Sequence, residues 1–181
     1  MRIKNLLELS RVPHKIGAVD ISNLSGSEAV GAFILYEDGK FMKGGYRLFK
    51  IKTVKGINDF AMIGEVVGRY LKNMPDNDDR LPELILIDGG KGQLMAALNA
   101  MKEFDLPVEL AAIAKARDEA PRKKSAVRSE FERIYLPGKK EPVYLEPLQP
   151  STHLLQKIRD EVHRFAISYH KKLRSKRTLE S

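Results

Sequence analysis

Two aspartates stand inside runs that would otherwise form wholly apolar strands. Asp20 interrupts Ile16-Gly17-Ala18-Val19-Asp20-Ile21, and Asp88 ends Leu84-Ile85-Leu86-Ile87-Asp88. Burying an ionised carboxylate beside hydrophobic strands is costly unless a cation or hydrogen bonds compensate. A hard divalent ion bound through oxygen is the usual compensation, and two converging carboxylates suit Mg²⁺ or Mn²⁺. Each residue also has a plainer explanation: Asp88 as a turn former before Gly89-Gly90, Asp20 as an ordinary strand-end acid. Taken together in this element order, they are expected to form a metal site. Asp59 is a possible third acid, at the opening of a helix where N-capping alone would account for it.

The third candidate is a histidine near the end of the chain. With Leu154 at zero on a wheel of about 100° per residue, Leu154, Leu155, Ile158, Val162, Phe165, Ala166, Tyr169 and Leu173 occupy one third of the circle. Arg159, His163, His170 and Arg174 fall beside them as a basic stripe. His163 at that edge can ligate a metal when neutral, act as general base on a water, or simply sit on the surface of a DNA-facing helix. Gly89-Gly90-Lys91-Gly92-Gln93 opens a helix, where glycines and the helix N-terminus favour a phosphate. The Walker A spacing is absent, and Lys91 is the residue placed to contact phosphate. His14 and His153 receive no role.

The elements that must position these residues follow from periodicity. Ile16 to Ser22, Ala29 to Tyr36 and Tyr46 to Lys52 read as strands, with Asp38-Gly39 as a hairpin turn between β-formers. Phe60, Ile63, Val66, Val67, Tyr70 and Leu71 keep helical spacing after Asn58 or Asp59 as N-cap. A polar loop from Pro75 to Pro82 leads to the Leu84 strand. Leu94 to Phe104 reads as a second helix and Val108 to Ala114 as another strand. Residues 116–132 are charged and aperiodic, as a mobile insertion would be. Ile134–Leu136 and Val143–Leu145 suggest a small hairpin, and Ser151 or Thr152 caps the long final helix. The expected architecture is mixed α/β: a mixed five-stranded sheet with an antiparallel three-strand start and helices on both faces. Residues 1–15 form a linker or leading helix, 16–170 the domain, and 171–181 a basic C-terminal tail.

The chain has 181 residues, room for one domain, and no cysteine, which removes disulfides and Cys-ligated metal sites. No apolar run approaches the roughly 18 residues a membrane span needs, and the N-terminus is not that of a signal peptide. A cytoplasmic address and no membrane partner are expected. Net charge is +8, and it is concentrated: 157–177 holds eight Lys/Arg against two acids, and 115–140 holds nine against four. Clustered positive charge without an aromatic-rich amphipathic helix points to nucleic acid. Lys91, Arg159, Arg164, His170, Lys171, Lys172, Arg174, Lys176 and Arg177 are the expected DNA contacts.

Val19-Asp20-Ile21-Ser22, Leu86-Ile87-Asp88-Gly89-Gly90-Lys91-Gly92-Gln93 and Ile158-Arg159-Asp160-Glu161-Val162-His163-Arg164-Phe165-Ala166, in this order, resemble the C-terminal endonuclease domain of UvrC, the nuclease subunit of bacterial nucleotide excision repair. The resemblance covers roughly residues 12–177. It implies a ribonuclease H-like fold and an Asp-Asp-His constellation falling on Asp20, Asp88 and His163, with a further family acid falling on Asp59. It also implies Mg²⁺- or Mn²⁺-dependent incision of DNA on the 5′ side of a lesion, with UvrB and the UvrABC excision system as partners of the full-length protein. Asn23 departs from the His common at that position. The 3′-incising half, the UvrB-contacting region and the helix-hairpin-helix tail have no counterpart here, so the chain resembles an excised, monomeric domain.

The expected mechanism is phosphodiester hydrolysis by a metal-activated water, with Asp20 and Asp88 holding the cation and His163 as ligand or base. A non-catalytic DNA-binding or scaffold domain of a repair complex is the alternative. An actin-like or sugar-kinase phosphate site is a third, which needs two such domains around a cleft. Asp20, Asp88 and His163 are therefore expected to converge in the folded chain.

Overall fold

The computed structural model describes residues 2–23, 29–52, 58–74, 79–115 and 131–180. The polar stretch at 75–78 and nearly all of the 116–132 segment lie outside these residues. Strand β1 (Lys15–Ser22) pairs antiparallel with β2 (Val30–Glu37), Asp20 standing opposite Ala32. Glu37 and Lys40 close a two-residue hairpin turn, in which Asp38 and Gly39 take φ of 45° and 88°. Positive φ at both central residues is what an Asp-Gly turn of this kind requires. The short β3 (Lys40–Phe41) and then β4 (Arg47–Lys50) both pair with β2, at Glu37–Tyr36 and at Val30–Phe33. The antiparallel start thus forms as expected.

On its other side β1 pairs in parallel with β5 (Leu84–Asp88), and β5 in parallel with β6 (Glu109–Ala114). The small hairpin of β7 (Arg133–Tyr135) and β8 (Val143–Tyr144) then joins antiparallel to β6. The sheet therefore has eight strands rather than five, in the order β3-β2-β1-β5-β6-β7-β8, with β4 also on β2. The difference of three arises because unpaired strand edges seek partners: the β7–β8 hairpin completes the β6 edge instead of standing apart, and the two-residue β3 pairs with the end of β2.

Alternation along the strands sorts the core into two layers. Ile16, Ala18, Leu84, Leu86, Ala111, Ile113 and Ile134 face α1 (Ile3–Leu6) and the final helix α4 (Pro150–Glu180). Val19, Phe33, Ile85, Ile87 and Ala112 face α2 (Asp59–Lys72) and α3 (Lys91–Met101). Helices cover both faces, as a sheet with parallel members demands. Leu7 and Leu9 are buried in the α4 layer, and the Ser10 backbone N–H and hydroxyl donate to the Glu109 carboxylate. The leading segment is thus part of the core.

Helix α2 is capped by Asn58, whose Oδ1 accepts from the Ala61 N–H at 3.1 Å. Helix α4 opens at Pro150, ahead of Ser151 and Thr152, since proline's fixed φ suits the first helical position. It runs through Glu180, so residues 171–180 continue the helix.

Candidate active site

The period of two along a strand decides which face the acids take. Ile16 and Ala18 point to the α4 layer, and so by alternation does Asp20; Leu84 and Leu86 do likewise, and so does Asp88. The β1–β5 register runs through Val19↔Ile87, and one step further sets Asp20 level with Asp88 at the carboxyl ends of adjacent parallel strands. That is where open α/β sheets place their ligands. Helix α4 packs over β1 and β2 and lowers His163 onto this pair. His163 Nδ1 lies 2.9 Å from Asp20 Oδ2. One ligand atom from each of Asp20, Asp88 and His163 lies within 4.8 Å of the other two. The expected convergence occurs.

The electrostatics of the cluster are those of a site short of positive charge. Burial raises Asp20 above the ordinary aspartate range, against the opposing pull of His163. Burial and then the Asp20 charge push Asp88 up to about 7, with His163, Arg159 and Lys115 acting in the other direction. Two carboxylates that share a site cannot both ionise cheaply. A divalent cation, bound through two oxygens and an imidazole nitrogen, answers that deficit, and the donor set fits Mg²⁺ or Mn²⁺.

The turn after Asp88 explains its glycines by packing. A Cβ on Gly89 would stand 2.7 Å from Gln93, whose Oε1 accepts from the Gly90 N–H at 3.0 Å. A Cβ on Gly92 would stand 2.5 Å from the Phe60 ring. Lys91, at the first position of α3, is exposed. Asn58 is the N-cap of α2, and the side chain of Asp59 lies outside the described residues.

The basic stripe on α4 divides. Arg164, Lys171, Lys172, Arg174 and Lys176 are exposed, Arg164 also binding Glu161; the Arg177 side chain lies outside the described residues. Arg159 and His170 are not on the exposed surface: they are 6% and 4% exposed. Their burial sets these two apart from the exposed cations of the stripe that were expected to contact phosphate. Helix α4 seats on β1 and β2 with its covered face turned toward the stripe, taking in Arg159 and His170 and leaving Leu154, Phe165 and Tyr169 half-buried. His170 Nε2 lies 3.3 Å from the Ser22 carbonyl oxygen. Arg159 donates to Glu132 and, at 2.8 Å, to Asp160.

Glu132, the partner of Arg159, falls in the charged, aperiodic 116–132 stretch, where periodicity alone singles out no residue. Counting back by two from the inward Leu136 and Ile134 places it on the same face, and that was the available signal.

Comparison with known proteins bears on the family and the fold. Residues 4–167 match the model of the UvrC RNase H endonuclease domain. The chain belongs to that family. It is 43% identical over 180 residues to UvrABC system protein C of Geobacter metallireducens and 45% identical over 182 residues to that of Bdellovibrio bacteriovorus. Each match takes in 99% of this chain but only 29% and 28% of those proteins, so the chain spans less than a third of their length. Among solved structures, Ciona intestinalis endonuclease V, in complex with a 23mer DNA containing an inosine followed by a ribo-adenosine, superposes with a TM-score of 0.57 at 14% identity, covering 96% of this chain and 91% of that one. Human endonuclease V gives 0.52 at 9% identity, with 93% and 92% covered. These likenesses concern the fold, which is ribonuclease H-like. Among the described residues, no helix is long and apolar enough to cross a membrane.

Proposed function

We propose that this chain is the DNA-cutting domain of an excision-repair nuclease, hydrolysing a phosphodiester on the 5′ side of a lesion with Mg²⁺ or Mn²⁺. The observation that carries the reading is the meeting of Asp20, Asp88 and His163, three residues from distant parts of the chain, at one end of the β1–β5 pair. Asp20 and Asp88 would hold the ion, and His163, 47% exposed, faces both the carboxylates and solvent. What such an ion supplies is stabilisation of the pentacovalent phosphate and a more acidic attacking water. His163 either completes the donor set or accepts the water's proton; its bond to Asp20 fixes the ring for both roles. The family resemblance supports Asp59 as a proposed additional acid.

Lys91, Arg164, Lys171, Lys172, Arg174, Lys176 and Arg177 are the proposed phosphate contacts. The relatives named UvrABC system protein C support membership of that system; damaged duplex DNA as substrate, UvrB as a partner of the longer protein and a cytoplasmic address belong to the same proposal. The domain itself is proposed to act as a monomer. The test is a nicking assay on lesion-bearing duplex with Mg²⁺, Mn²⁺ or chelator, the nick mapped by gel. Cutting on the 5′ side that is lost with chelator and in Asp20→Asn and Asp88→Asn is the expected result. DNA retention with no ion-dependent nick would favour a scaffold role instead.

A further inference from the structure

The buried Arg159–Glu132 pair has no part in the reaction just described, yet it lies against it. Arg159 sits one helical turn before His163 on α4 and is almost wholly covered. Its guanidinium reaches Glu132 at the entrance to β7, on the α4 face of the sheet, and Asp160 on its own helix. Glu132 Oε2 is buried with no hydrogen-bond partner among the described residues. A carboxylate so placed is tolerable only because a cation sits beside it. The same cation is among the charges felt by Asp88.

We propose that Arg159, clamped by Glu132, is a positioning residue: it pins the rotation of α4 so that His163 meets Asp20, and sets a fixed positive charge beside the carboxylate pair. The pin adds what apolar burial does not: the contacts of α4 through Leu155, Ile158, Val162 and Ala166 are non-directional, whereas an ion pair to the residue entering β7 is directional. A fork of five donors does this as a lysine ammonium does not. The assignment of an ion to the site rests on the function proposed above; the placing of His163 does not.

The experiment uses the whole chain as Arg159→Gln, Arg159→Lys, Glu132→Gln and the double variant R159M/E132Q, which leaves neither charge buried alone. Two quantities are read: Mn²⁺ affinity by calorimetry, and the imidazole nitrogen resonances of His163 in the ion-free protein, which report its bond to Asp20. Folding of each variant is checked by near-ultraviolet circular dichroism. The expected result is Mn²⁺ binding weakened by about 10- to 100-fold in the folded variants, least in Arg159→Lys, with displaced His163 resonances. Unchanged resonances and affinity in any folded glutamine or double variant overturn the proposal. If the same variants instead flatten the salt dependence of DNA binding, Arg159 is a phosphate contact. Should the unsubstituted chain bind no Mn²⁺, the metal reading fails, and the His163 resonances alone decide whether Arg159 positions the ring.

Discussion

Asp88 gives the site a measurable acid–base signature. In the ion-free fold it holds its proton up to about pH 7, because burial and the Asp20 charge both oppose ionisation, whereas in the unfolded chain an aspartate releases it near 3.9. Between those values the folded state binds more protons than the unfolded one, so stability falls as pH rises from about 4 to about 7. The direction for Asp20 is the same. Melting in chelator at pH 5 and pH 8 should therefore show a lower Tm at pH 8 by several degrees, given about 2–4 °C per kcal/mol for a chain of this size. Asp88→Asn should flatten the slope, and saturating Mn²⁺ should raise Tm most at pH 8; a pH-independent Tm in chelator contradicts the assignment. The sequence shows the acids clearly because a charge inside an apolar run is conspicuous. It hides the buried state of Arg159 and His170, since nothing local to a basic stripe says which of its members a sheet will cover.

At the level of elements, two placements show where periodicity succeeds and where it stops. Leu155 lies on the α4 stripe read from the sequence and is wholly buried; Leu155→Ala is expected to lower unfolding free energy by about 2–5 kcal/mol in urea titrations. Phe60 shares the helical spacing of the α2 core residues, yet it is 53% exposed. It stands in the first turn, ahead of the part of α2 that the sheet covers, and rests on Gly92 at the start of α3. Spacing gives a face but not where a neighbouring element begins. Gly92→Ala should therefore swing the exposed ring aside, with the helix-propensity gain of about 0.5–1 kcal/mol offsetting much of that cost, while in a Phe60→Ala background the same change should stabilise by about that gain. A double-mutant cycle on urea unfolding reads the coupling, and strictly additive effects would show that the ring does not depend on Gly92.

Over the whole molecule, the mixed sheet with helices on both faces was legible because hydrophobic period and turn residues agree along the chain. The count of strands was not, since the β7–β8 hairpin and the two-residue β3 join through backbone edges that carry no side-chain signal, and Leu7 and Leu9 gain their meaning only from the distant sheet that covers them. Charge distribution is where molecule-wide reasoning predicts most. The last stretch of α4 presents Lys171, Lys172, Arg174 and Lys176 to solvent on a helix continuous with the one that carries His163. A phosphate backbone lying along it would release one condensed counterion for about each cation engaged, so log K should fall with log salt by about 0.9 per contact. Replacing all four with glutamine should reduce that slope by up to about 3–4 in fluorescence-anisotropy titrations of duplex DNA. It should leave Mn²⁺ affinity untouched, because these groups lie beyond the turn that faces Asp20. Arg159→Gln should do the reverse, weakening the ion and sparing the slope. A quadruple variant with the full slope would place the DNA path elsewhere on the surface.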